Sequence, residues 1–303
     1  MLKQQQECTI NVHVYDQWSG MSIQSLFRTQ WLAPKKLVHQ LRMEKRVSVN
    51  DSLAIWTAPL EAGDDIFITF PNELNNTIIP FKTTIQIVYE DEHLLIVNKP
   101  AGMATHVNEQ NEMDTLANAV AFYLQGQNDN RKIRHIHRLD KETTGAIIFA
   151  KHALSHAILD QMLENNEIDR TYLALTDGLM KKSTFTIRAP IGRDRHHPTR
   201  RRVSETGQQA VTHCKILKTI PEKQLSFIEC KLATGRTHQI RVHMAHIGFP
   251  LAGDQLYGGR PIFQRQALHA RKLAFVHPFT LKRIDCTAPF LDKPYIFEPF
   301  VKR

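Results

Sequence analysis

"IHRLDKETTGAIIFAK", residues 136–151, puts Arg138, Asp140, Lys141 and Glu142 within five positions and then runs straight into an apolar segment. A short apolar run entered through a Thr-Thr-Gly turn reads as a buried strand, so Asp140 sits on a turn at the edge of a sheet. Charges beside a buried strand carry a desolvation cost. Asp140 is therefore either a turn residue capping nearby amides, the ordinary role before Thr-x-Gly, or a carboxylate kept for chemistry.

The flanking sequence supplies the rest of the sheet. "IQIVYEDEHLLIVNKPAGMATH" (85–106) predicts two strands around an acidic turn, and residues 113–125 an amphipathic helix. "ALSHAILDQMLENNEI" (153–168) predicts another helix. "RTYLALTDG" (170–178), "STFTIRAP" (183–190), "QAVTHCKIL" (209–217) and "LSFIECKLA" (225–233) are strands, and "GRTHQIRVHMAHIG" (235–248) has helical spacing. Many strands with helices between only some of them predict an α+β fold with a mixed or antiparallel sheet.

"PNELNNTIIPFK" (71–82) breaks both periodicities. It divides the chain into a small α/β domain over 1–72, a linker over 73–83 and a large domain over 84–303. In the small domain Ile23, Leu26, Phe27, Gln30 and Trp31 recur at helical spacing. Leu37, Val38 and Leu41 form one face of a second short helix, whose other face carries Lys35, Lys36, Arg42 and Lys45. "RVSVND" and "EAGDDIFITF" add short strands.

The 303 residues contain no apolar run near the roughly 18 needed for a membrane span, and the N-terminus lacks a signal-peptide core. Four cysteines far apart, without a C-x-x-C pair, suit reduced thiols, so a cytoplasmic protein and no membrane partner are expected. The formal charge is +9, yet residues 1–80 hold 7 Lys+Arg against 8 Asp+Glu. The excess gathers in "RKIRHIHR" (131–138) and "RDRHHPTRRR" (193–202), with a further cluster in "PKKLVHQLRMEKR" (34–46). Such clusters suit a polyanion, since each neutralised phosphate releases counterions. The ordinary alternative is solvated surface, and the 193–202 segment reads equally as a hairpin tip in water or in contact with RNA.

"TGRTHQIRVHMAH" offers Arg236 and Arg241 with three histidines. On one continuous helix, His238 and Arg241 share a face, and an Arg aimed at a carboxylate keeps it ionised in a partly dry site. His238, His243 and His246 lack zinc spacing and a completing Cys or carboxylate, so no metal is expected. "GDQLYGG" (253–259) reads as a loop rather than a phosphate cradle.

Together "HRLDKETTG", "VYEDEHLLIVNKPAGMATH", "RTYLAL", "LATGRTHQIRVHMAHIGFPLAGDQLYG" and "LHARKLAFVHP" resemble, in family order over residues 84–290, the RluA family of pseudouridine synthases. The family motif commonly ends Thr-Ser-Gly, and Thr144 keeps the hydroxyl. The pattern of Lys36-Leu37, Arg42, Arg46-Val47-Ser48-Val49-Asn50-Asp51 and Gly63-Asp64 resembles an S4 RNA-binding module, with Pro-Lys-Lys where a Ser-Arg pair is common.

The resemblance implies an RNA-modifying isomerase that needs no cofactor. Asp140 would be the catalytic carboxylate, Tyr172 would stack on the target base, and Arg241 would pair with Asp140. Arg138 would fill the gap left by a flipped nucleotide. His137, Arg236, His238, Gln239 and Lys99 would shape the pocket, while Lys35, Lys36, Arg42 and Arg46 would bind RNA. A monomer acting on large-subunit ribosomal RNA is the favoured reading. Transfer RNA, a catalytically silent RNA-binding assembly factor, and a base glycosylase using Glu142 as a second carboxylate are the alternatives. Deleting residues 1–75 is expected to weaken RNA binding and flatten its salt dependence.

Overall fold

The computed structural model describes residues 8–70, 78–107, 113–129 and 131–301. The small domain begins with strand β1 (Cys8–His13). Helix α1 (Ile23–Ser25), capped by the Ser22 hydroxyl, widens into a π-helical turn over Leu26–Gln30. This splits the single helix expected over 21–33, but Ile23, Leu26, Phe27 and Trp31 still face the core. Helix α2 (Lys35–Met43) follows, then strands β2 (Val47–Val49), β3 (Ser52–Leu53) and β4 (Asp65–Phe70). The four strands form one antiparallel sheet in the order β1-β4-β2-β3.

Part of the expected linker, residues 73–77, lies outside the described residues. Its end is tied down. The Phe81 amide donates to the Asn118 carbonyl, and the Asn118 side chain donates to the Ile79 carbonyl.

The large domain is built on one mixed sheet. Its first half contains β5 (Gln86–Glu90), β6 (Leu94–Lys99), helix α3 (Leu116–Gly126), the short β7 (Arg134–His135), β8 (Thr144–Ala150), helix α4 (Ala153–Glu164) and β9 (Asp169–Asp177). Next come β10 (Thr184–Arg188), the two-stranded hairpin β11 (Ile191–Arg193) and β12 (Arg201–Val203), β13 (Val211–Ile220) and β14 (Leu225–Leu232). Helix α5 (Gln239–His246), β15 (Leu268–Val276) and β16 (Arg283–Thr287) complete it. The order is β10-β13-β14-β9-β15-β8-β6-β5, with β16 on β15 and β7 on β8. Among the described residues only β8 and β15 pair in parallel, so the expected mixed, largely antiparallel α+β architecture is the observed one.

β6 and β8 are buried along their whole length, which is why they read as continuous apolar runs. Alternate residues feed two cores. Leu94, Ile96, Ala146 and Ile148 face α4, whereas Leu95, Val97, Ile147 and Phe149 face α3 and α5. The first core also takes in the small domain. Trp31 packs edge-on against Phe279 with centroids 5.5 Å apart, and Phe70 stacks on His152 at 4.7 Å. The two domains therefore share one core across the break in periodicity. Two apolar faces of this size are more stable buried against each other than in water.

The helix expected over 235–248 begins only at Gln239. His238 has φ 58°, a left-handed conformation outside the helix. The Gln239 side chain accepts from the Arg236 amide and the Thr234 hydroxyl, folding 234–238 into a turn.

Candidate active site

Asp140 ends the segment from β7 and opens a tight turn closed by the Thr143 amide on the Asp140 carbonyl. Gly145 has φ +117°, and a Cβ there would lie 2.2 Å from the Ala270 carbonyl oxygen, so the parallel β8–β15 pairing requires glycine. The turn is thereby fixed at the end of two central strands. Asp140 opens into a cavity of about 740 Å³, which His137, Arg138, Tyr172, Arg236 and Arg241 also line.

The decisive contact spans 101 residues: Arg241 Nη1 donates to Asp140 Oδ2 at 3.0 Å. The same guanidinium is gripped from behind, with Nε and Nη2 donating to the two oxygens of Asp254 at 2.7 and 2.9 Å. Asp254 is 2 % exposed, and its bidentate grip leaves Arg241 a single direction in which to point. Burial acts to lower the Arg241 pKa, but Asp254 and Asp140 outweigh it, so the group stays cationic.

Tyr257 completes the frame. Its ring lies under Arg241, 5.0 Å from guanidinium carbon to centroid. Its hydroxyl accepts from the Arg201 amide at 2.9 Å and stands 2.8 Å from His238 Nδ1. The hydroxyl and Nδ1 share one hydrogen bond, and His238 Nε2 faces Asp140 Oδ1 at 3.8 Å. Burial lowers the His238 pKa, against the pull of Asp140, so the ring is neutral.

Tyr172 lies on β9, opposite Cys230 of β14 and Ala270 of β15, and is 5 % exposed. Burial raises its phenol pKa and keeps it a neutral platform. Arg138 is exposed and lines the cavity. His137 is buried with its pKa pushed down to about 3 by burial and then by Arg170, and its Nε2 accepts from the Ile148 amide. Gln239 touches the cavity but spends both ends of its amide on Thr234, Arg236, Val211 and Thr212.

Lys99 departs from the pocket position the sequence suggested. It does not line the cavity. Its ammonium is fully buried and donates to the carbonyls of Pro100, Met103 and Lys141, so it holds the Asp140 turn from below. Burial pulls its pKa down to about 7, opposed by Glu142 and Asp140. Glu142, the second carboxylate considered for glycosidic cleavage, does not line the cavity either; the other carboxylates that line it with Asp140 are Asp160 and Glu164 of α4.

The four candidate RNA-binding residues of the small domain are apart from this cavity. Lys35, Lys36 and Arg42 are exposed on α2, whereas Arg46 is half-buried and ion-paired to Glu44. His243, one of the histidines weighed for metal, is taken by the Thr212 hydroxyl and the Ala189 carbonyl. Sequence reading missed three participants: Asp254, Tyr257 and the buried, cavity-lining Arg170. Asp254 and Tyr257 were in view as "GDQLYGG", but nothing local marks a loop Asp as the seat of a distant Arg.

A family model described as RNA pseudouridylate synthase matches residues 93–246. Another, described as the RluD ribosomal pseudouridine synthase N-terminal domain, matches residues 10–66. The chain is 45% identical over 282 residues to the uncharacterized RNA pseudouridine synthase YhcT of Bacillus subtilis (strain 168), covering 93% of each. It is 40% identical over 220 residues to the ribosomal large subunit pseudouridine synthase D of Pseudomonas aeruginosa, covering 68% of each. Among solved structures, human RNA pseudouridylate synthase domain containing 1 superposes with a TM-score of 0.58 at 26% identity, over 72% of this chain and 91% of that one. With its carboxylate, arginine and tyrosine converging on one cavity and these matches along most of its length, the chain belongs to the RluA family of RNA pseudouridine synthases.

Proposed function

We propose that this enzyme isomerises uridines of large-subunit ribosomal RNA, with Asp140 as the catalytic carboxylate. The observation that carries the assignment of Asp140 is its ion pair with Arg241, itself anchored by Asp254, at the mouth of the cavity. Uridine and pseudouridine are isomers, so the reaction needs no energy source. The N1–C1′ bond breaks, the uracil turns, and C5 joins C1′. Attack on C1′, attack on C6 and removal of the 2′ proton all require an ionised carboxylate beside the nucleotide. A neighbouring guanidinium favours that ionised form where water is scarce.

The other residues fit the remaining demands. Tyr172 supplies a flat apolar face for the base, and the concave cavity limits the water that reaches the detached uracil. Extruding a nucleotide costs a few kcal/mol of stacking, which Arg138 offsets by occupying the vacated position. Arg236 at the rim favours phosphate. The exposed cations of α2 extend the attraction along structured RNA, recognised by shape as much as by base. Ribosomal RNA is favoured over transfer RNA because the small domain matches the RluD N-terminal model and the relatives include ribosomal large subunit enzymes.

The test is carbodiimide mapping of pseudouridine on a large-subunit ribosomal RNA transcript. Wild-type enzyme forms new pseudouridines, and Asp140→Asn forms none while binding the transcript as before. Equal isomer yield from Asp140→Asn removes Asp140 from the chemistry. Modification of transfer RNA transcripts alone overturns the substrate class.

A further inference from the structure

We infer that Arg265, with Asp292 as its counter-ion, is the positioning residue that fixes the catalytic turn against the loop holding Arg241; the inference rests on the role proposed for Asp140. Arg265 is 5 % exposed, and all five of its N–H groups are committed. Nε and Nη2 donate to the two Asp292 oxygens at 2.8 Å each. Nη2 also donates to the Thr144 hydroxyl at 3.0 Å. Nη1 donates to the carbonyls of Glu142, Gln266 and Leu268 at 3.2, 2.8 and 2.9 Å.

Two of those acceptors hold the Asp140 turn: the Glu142 carbonyl lies within it, and the Thr144 hydroxyl is on the first residue of β8, into which it runs. The proton order around Thr144 follows from its neighbours. His269 Nε2–H donates to the Ala288 carbonyl, so Nδ1 is a lone pair that accepts the Thr144 O–H at 2.8 Å. The Thr144 oxygen is then left to accept from Arg265. One hydroxyl thus passes a single directed chain from Arg265 through Thr144 to His269, which explains why this turn needs an alcohol at position 144.

The backbone of Arg265 reaches the other half of the site. A Cβ on Gly253 would stand 2.0 Å from the Arg265 carbonyl oxygen, and the Ala267 amide donates to the Ala252 carbonyl at 2.8 Å. The next residue, Asp254, holds Arg241. A single residue therefore touches the Asp140 turn with its side chain and the Asp254 loop with its main chain. The 3.0 Å Asp140–Arg241 contact is formed between the two. Asp292 lies on the C-terminal segment, so that segment closes the clamp without approaching substrate.

A methylene-linked ammonium cannot serve Asp292, Glu142 and Thr144 together, so Arg265→Lys keeps charge and loses the fork. Thr144→Val keeps shape and loses the hydroxyl. Single-turnover isomerisation of the ribosomal RNA transcript is compared with transcript affinity and thermal midpoint. Expected is a rate loss of 10-fold or more in both variants with transcript Kd within 2-fold of wild type, and recovery of the rate in Thr144→Ser. Unchanged rate constants per folded molecule, with only the thermal midpoint lowered, overturn the inference, as does a loss confined to Kd. If Arg265→Lys does not fold, the Thr144 pair decides. Absence of turnover in wild type is a failure of the proposed function, whereas wild-type turnover with full-rate Thr144→Val is a failure of the clamp.

Discussion

The cavity and the junction between the domains both bury ionisable groups, and they do so by opposite means. At the cavity, charge is retained: Arg241 lies between Asp140 and Asp254 and is held cationic. At the junction, the buried imidazoles of His93 and His152 are kept neutral, while the Arg131–Asp129 pair against Cys8 at its edge stays charged. His152 Nδ1 accepts from the Ser155 amide, so its Nε2–H donates to His93 Nδ1 at 3.1 Å, and His93 Nε2–H faces Glu92. Burial lowers the His93 pKa to about 4 and that of His152 well below its usual value. His93 stacks on Phe279 at 4.2 Å and His152 on Phe70 at 4.7 Å, as polar-edged members of an aromatic core. A retained charge serves chemistry and costs desolvation, whereas a neutral imidazole serves packing and makes the junction sensitive to acid.

The largest effect belongs to the cavity. Asp140→Asn should lower single-turnover isomerisation by roughly 10³-fold, with transcript binding and thermal midpoint near wild type, read by quench-flow and filter binding. Arg241→Met should strand two carboxylates, Asp254 buried among them. It should cost about 3–5 kcal/mol of stability besides activity, measured by urea denaturation. The matching test of the junction is Trp31→Ala, which should cost about 3–5 kcal/mol through the shared core and lower unfolding of both domains together. Two separate transitions, with the large domain unaffected, would show that the domains are independent after all.

Acid sharpens the contrast. Folded His93 and His269 titrate at about 4 and His137 at about 3, because burial disfavours their charged forms, while the unfolded chain takes up those protons near 6.5. The unfolded state therefore binds more protons in this window. Stability is complete above about pH 6.5 and falls as pH drops towards 4, by up to about 1.4 kcal/mol per pH unit for each histidine. Urea midpoints at pH 7.5, 6 and 5 check this, and a midpoint independent of pH would contradict it. The smallest effect is expected on α2, where alanine at Lys35, Lys36 or Arg42 should each reduce the salt slope of RNA binding by about 1. Point substitutions replace deletion of residues 1–75 for that purpose, since the deletion would strip Trp31 and Phe70 from the shared core and unfold more than it removes.

Much of the site was legible because its residue types are unusual in their settings. A carboxylate beside a buried run and paired arginines in "TGRTHQIRVH" stood out by residue type, whereas Tyr172 of "RTYLAL", which alone reads as a core aromatic, was singled out only by the family resemblance; all three line the one cavity. Lys99 misled because its sequence position beside Pro100 says nothing of which carbonyls lie within reach of a buried ammonium. His238 was placed correctly near Asp140 for an incorrect reason, a helix that starts one residue later. Turn-forming residues at 71–82 mark a break in periodicity and carry no information about what packs across it.

Periodicity, turn chemistry and residue type act over a few positions, so the sequence by itself determined the strands, the buried run after Gly145, the basic clusters and the side chains able to do the chemistry. The tertiary structure alone decided that Asp254 aims Arg241, that Arg265 ties the turn to that loop, and that the small domain shares the core of the large one. Those are contacts between residues from 13 to about 250 positions apart, set by which faces are buried against each other and which polar groups must then be satisfied.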